Sequence, residues 1–81
     1  MSPKTPRDVS GKSLIKILSK YGYVVIRQTG SHVRLSITIN DEAKNITVPN
    51  HDSIKLGTLV AILNEVAAQL NISKDDLISQ L

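Results

Sequence analysis

From Val33 to Ile39 apolar and polar residues alternate without a break. Val33, Leu35, Ile37 and Ile39 fall on one face; His32, Arg34, Ser36 and Thr38 fall on the other. Successive strand side chains point to opposite sides of a sheet. The pattern therefore predicts a half-buried strand with His32 and Arg34 together on its wet face. A different period governs Leu14, Ile15, Ile17, Leu18 and Tyr21, and again Leu59, Ile62, Leu63, Val66 and Leu70. Those spacings are the apolar stripes of amphipathic helices.

Punctuation residues set the boundaries. Residues 1–9 contain Pro3 and Pro6 and no periodicity, and are expected to form a flexible tail ahead of a single domain over 10–81. Ser10 is a suitable N-cap for a helix from Gly11, and Gly22 a suitable stop. A first strand runs from Tyr23 to Gln28, and its buried face is ambiguous because Tyr23, Val24, Val25 and Ile26 are all apolar. Thr29-Gly30 is the turn into a second strand from about Ser31 to Ile39. Asn40-Asp41-Glu42 turns into a third strand, Lys44 to Val48. A loop from Pro49 to Leu56 leads to a helix starting near Gly57-Thr58 and broken at Asn71. Ser73 caps a last short helix with Leu77, Ile78 and Leu81 as its apolar contacts. The expected fold is α+β. Its order is α-β-β-β-α, with a three-stranded antiparallel sheet, both main helices on one face and a short extra C-terminal helix. That order suits a domain of the double-stranded-RNA-binding type, which reads backbone and shape.

Composition narrows the class. A chain of 81 residues is near the lower limit for a self-sufficient core. It has no cysteine, so neither disulfides nor thiolate metal sites support it. The first twenty residues lack a signal-peptide stretch, and no apolar run is long enough to cross a bilayer, so a soluble cytoplasmic protein is expected. Net charge is +3, unevenly spread. Residues 1–40 hold seven Lys or Arg against one acid, and residues 41–81 three Lys against six acids. A basic half supplies the electrostatic footprint for a polyanion. The two tyrosines are the only aromatic residues and sit at core positions, so base stacking on the sheet is not expected.

Several chemistries fail on spacing. Ser10-Gly11-Lys12-Ser13 ends like a phosphate-binding loop, but the glycine required five residues before its Gly-Lys is Pro6. His32, His51 and Asp52 have no metal-ligand spacing, so neither metal nor cofactor is expected. What remains is an imidazole beside a guanidinium on an open sheet, an arrangement suited to phosphate chemistry. A surface histidine on an ordinary strand has the same pattern.

Longer elements discriminate further. These are Gly11-Lys12-x-Leu14-Ile15-Lys16-x-Leu18, then Gly22-Tyr23-x-Val25-x-Arg27-Gln28-x-Gly30-Ser31-His32, then Thr47-Val48-Pro49-Asn50-His51, then Lys55-x-Gly57-Thr58-Leu59-x-x-Ile62-Leu63. In order and spacing they resemble the HicA toxin family, over roughly residues 8 to 63. The resemblance implies a metal-independent endoribonuclease that cuts mRNA and arrests growth. It also implies a HicB-type antitoxin covering the active face, with the toxin monomeric when free and hetero-oligomeric with its antitoxin. It assigns the catalytic histidine to His32 and places His51 at a recurrent family position. Val60 departs from the family, which often carries a basic residue there, and Asn64 to Leu70 lengthens the second helix.

RNA brings its own nucleophile, the ribose 2′-hydroxyl. Its cleavage needs a base, an acid and positive charge on the phosphate. His32 is expected to serve as base or acid, and Arg34 to steady the pentavalent phosphorane. Ser31, Arg27, Lys55 and His51 are the further substrate-binding candidates. Lys55 sits near a helix start, where free backbone N–H groups favour anions. The second proton-transfer group is left open between His51 and water. The alternatives are a non-catalytic RNA-binding module and a protein-interaction domain.

Overall fold

The computed structural model describes residues 8–81. The elements are α1 (Gly11–Lys20), β1 (Val24–Thr29), β2 (His32–Ile39), β3 (Glu42–Pro49), α2 (Leu56–Leu70) and α3 (Lys74–Ile78). The strands form one antiparallel sheet in the order β1-β2-β3. This is the expected α+β architecture. Residues 1–7 of the expected tail lie outside the described residues. Val9, placed in that tail by the sequence, belongs to the core: it is only 6% exposed, and its carbonyl accepts the Ile54 N–H at 2.8 Å.

Each helix ends where local chemistry dictates. The Ser10 side chain accepts from the Ser13 N–H at 3.1 Å, satisfying one free donor of α1. At the other end Gly22 takes φ of 110°, a conformation that side-chain-bearing residues rarely adopt. The Tyr23 N–H then bonds the Leu18 carbonyl and the Gly22 N–H the Ser19 carbonyl, at 3.2 and 3.1 Å. This pair of bonds is a Schellman closure. Asn71, in left-handed conformation, ends α2 by the same device, and Ser73 caps α3 through the Asp76 N–H.

Both hairpins turn in two residues. Gly30 has φ of 58° and leads the Gly30-Ser31 turn, so Ser31 lies in the turn and β2 begins at His32. Asn40 and Asp41 both have positive φ, 52° and 64°, the signature of a type I′ turn. Glu42, expected in that turn, therefore opens β3.

Val33 and Leu35 of β2 pair with Val48 and Ile46 of β3, and all four are buried. Leu14 and Leu18 of α1 and Leu59, Leu63 and Val66 of α2 join the same core. Full burial of one such side chain contributes roughly 1.5–3 kcal/mol. The outer edge of β3 is covered by α2, where the Gln69 side-chain amide donates to the Asn45 carbonyl at 2.8 Å. The outer edge of β1 has no such cover among the described residues. Val24, Val25 and Ile26 are 63, 45 and 56% exposed.

The ambiguity of β1 is resolved by a bulge. Val25 pairs with Leu35 and Arg27 with Arg34, leaving Ile26 as an extra residue. In a regular strand keeping all five residues, Tyr23 and Arg27, four apart, would share a face. The bulge sends Tyr23 into the core, 2% exposed, and Arg27 to the face of Arg34.

Candidate functional site

The uncovered sheet face is built from cross-strand rows. Thr29, His32 and Pro49 form one row, and Arg27, Arg34 and Thr47 the next. His32 and Arg34 are both exposed, as the alternation of β2 requires. The N-terminal half of α2 borders this face, so the sheet meets a helix wall instead of open solvent on one side.

Three shallow grooves meet there. One, of about 360 Å³, is lined by His32, Thr47, Pro49, His51, Lys55 and Thr58. A second, of about 150 Å³, is lined by Arg27, Thr29, His32, Arg34 and Thr47. A third, of about 550 Å³, runs between the sheet and α2, with Arg34, Asn45, Thr47, Thr58 and Glu65 among its walls. His32 stands where the first two join. Arg27 and Arg34 flank it on one side, His51 and Lys55 on the other.

The electrostatics favour an anion. Among the described residues the only ion pair is Lys44 with Glu42, 3.6 Å apart, near the far end of the sheet. Arg27, Arg34 and Lys55 therefore have no carboxylate partner among those residues. Lys55 precedes the first turn of α2, which has no side-chain cap and no acidic residue. The free N–H groups of that turn add positive potential beside the first groove.

Five of the six site residues expected from the sequence line these grooves: His32, Arg34, Arg27, His51 and Lys55. Ser31 lines none of the three and joins the group through His51. Its hydroxyl lies 3.2 Å from His51 Nε2, and its carbonyl accepts the Asn50 N–H at 2.6 Å. Thr47 borders all three grooves and Thr58 two of them, and the sequence marks neither as a site residue. The signal for Thr47 is its polar place in β3 between Ile46 and Val48. Reading it requires the β2–β3 register, which sets it opposite Arg34. Among the described residues, no group of three or more His, Cys, Asp or Glu side chains comes together to hold a metal ion. No described helix is long and apolar enough to cross a membrane.

Fold and site define a small α+β protein with a cationic, solvent-open sheet face, an architecture suited to a polyanion. The sequence model of one family, described as HicA toxin of bacterial toxin-antitoxin, matches residues 11–69. The chain belongs to the HicA toxin family and is a toxin of a toxin–antitoxin pair. No curated protein and no solved structure matches it.

Proposed function

We propose that this toxin is an endoribonuclease that cleaves mRNA in the cytoplasm and is neutralised by a HicB-type antitoxin covering the open sheet face. The observation that carries the reading is the position of His32, exposed at the junction of two grooves whose other walls supply Arg27, Arg34 and Lys55. An imidazole ring nitrogen can accept a proton or give one, the two roles this chemistry needs. Arg34, two residues along the same face, holds the phosphate oxygens where negative charge grows during attack by the 2′-hydroxyl. Arg27 and Lys55, on opposite sides of His32, hold the neighbouring phosphates, and Ser31 and His51 complete the substrate-binding set. Because the ribose hydroxyl is the nucleophile, the reaction needs no metal to generate one. Positioned acid–base catalysis contributes roughly 10²–10⁴-fold, enough for a slow toxin.

The test is induced expression of the wild type and of His32→Ala, scored for growth and mRNA integrity, with purified protein assayed on RNA. The wild type is expected to arrest growth and fragment mRNA, and the variant to do neither. If His32→Ala cleaves as fast as the wild type, the assignment is wrong. Retention of RNA by the wild type without products identifies a binding module.

A further inference from the structure

The cleavage reaction moves two protons, one off the 2′-hydroxyl and one onto the leaving oxygen, and where attack and departure are concerted two separate groups carry them. We propose that His51 is the second proton-transfer group, working across the scissile phosphate from His32; this rests on the nuclease reading above. One histidine takes the 2′-hydroxyl proton as O2′ bonds to phosphorus. The P–O5′ bond breaks, its electron pair leaves on O5′, and the other imidazolium protonates that oxygen. The products are a 2′,3′-cyclic phosphate and a 5′-hydroxyl end.

The geometry points to His51 through its fixation. It is exposed and shares the 360 Å³ groove with His32 and Lys55. The loop that carries it is nevertheless clamped. Its carbonyl accepts the Gly11 N–H at 2.9 Å, and the preceding Asn50 N–H donates to the Ser31 carbonyl at 2.6 Å. Helix α1 sits so close that a Cβ at Gly11 would collide with the Pro49 carbonyl and lie 2.7 Å from the Asn50 Cα. The side chain is held too, with Nε2 3.2 Å from the hydroxyl of Ser31, the residue directly before His32. One turn residue thereby ties His51 and its loop to the start of the strand that carries His32, as a preorganised site requires. With Nε2 engaged by the serine hydroxyl, Nδ1 is the ring nitrogen left to take or give the proton. The serine keeps its partner whether Nδ1 is bare or protonated, because Nε2 carries its hydrogen in both states. A histidine serving only solubility has no use for such a mount.

The experiment compares two substrates on purified protein: an RNA that the wild type cleaves, and the same RNA with bridging 5′-sulfur at the mapped cleavage position. A thiolate leaves without needing a proton, so the sulfur substrate removes the need for an acid. His32→Ala and His51→Ala are each expected to cleave ordinary RNA about 10²-fold or more slowly. The sulfur substrate is expected to restore one variant to within about tenfold of the wild type and leave the other slow. His51→Gln keeps a hydrogen-bonding group toward Ser31 but transfers no proton, and is expected to match His51→Ala. Wild-type rates in either His51 variant, or parallel losses for both histidines on both substrates, overturn the proposal. A wild type that cleaves no RNA, so that no cleavage position can be mapped, overturns the nuclease reading itself and this proposal with it.

Discussion

Arg27 and Arg34 lie directly opposite each other on neighbouring strands, both on the open face and with no carboxylate partner among the described residues. Like charges at directly paired positions destabilise a sheet, by something on the order of 0.2–1 kcal/mol. Their arrangement makes sense as a clamp for an anion. Replacing either by Gln should leave stability unchanged or raise it by up to about 1 kcal/mol, measured by urea denaturation. The same change should weaken RNA binding and flatten its salt dependence by about 0.7 in log–log slope for each phosphate that is no longer neutralised. An unchanged slope means that the replaced arginine holds no phosphate.

That clamp depends on the bulge at Ile26, which absorbs the one residue too many between Tyr23 and Arg27. Deleting Ile26 leaves those two residues three positions apart, on opposite faces of a regular strand, so the tyrosine stays in the core and the arginine on the open face. The deletion is therefore expected to keep the cooperative thermal transition in circular dichroism, losing only the extra local twist of the bulge. Ile26→Thr keeps the residue count and alters an exposed side chain, so its stability should stay within about 0.5 kcal/mol of the wild type. A deletion variant that unfolds would show that the bulge itself, and not only the facing of Tyr23 and Arg27, is needed by the sheet.

The bulge also marks where the sequence stops being readable. β2 is legible because its own alternation places His32 and Arg34 on the wet face and Val33 and Leu35 in the core. The ends of α1 and α2 are legible because Ser10, Gly22 and Asn71 act on neighbours within one turn. In β1, Tyr23 to Ile26 are all apolar, so no pattern reveals which residue is the extra one. Only pairing with β2 decides it. The Ser31–His51 contact spans twenty residues and depends on how the Pro49–His51 loop packs under α1. Val9 is illegible for the same reason. Its burial comes from the Ile54 segment closing over it, and no periodicity marks a single apolar residue beside prolines.

The close approach of α1 to that loop separates two glycines that look alike in sequence. Gly11→Ala places a methyl group against the Pro49 carbonyl and Asn50 backbone, neither of which is a flexible side chain. Overpacking of this kind typically costs about 1–3 kcal/mol, and a similar loss is expected in urea denaturation. If RNA cleavage depends on the loop, its rate should fall further than stability alone explains. Gly57, in the first turn of α2, has no atom within 4 Å of the place a methyl group would occupy, and no positive φ. Gly57→Ala should stabilise by about 0.4–1 kcal/mol, by restricting the unfolded chain. Equal effects at the two positions would mean that α1 does not press on the histidine loop.

Tyr23 ties the start of β1 to α2 and gives the fold a pH limit on its alkaline side. Its hydroxyl donates to Gln69 Oε1 at 2.6 Å, and Gln69 in turn donates to the Asn45 carbonyl. Burial, reinforced by the negative charge of Glu65, pushes the phenol up to about 12 from its usual 10. The native state therefore resists losing this proton more than the unfolded state does. Below pH ~10 both states hold it and the stabilisation is fully present; between about 10 and 12 the unfolded state ionises first and the stabilisation drains away. Tyr23→Phe removes the titrating group along with the hydrogen bond. It should be less stable than the wild type by about 0.5–1.5 kcal/mol at neutral pH. Its stability should then decline less steeply than the wild type's above pH ~10. Denaturation curves from about pH 7 to 11 decide the matter, because a wild-type decline no steeper than that of Tyr23→Phe means the phenol is not held protonated by the fold.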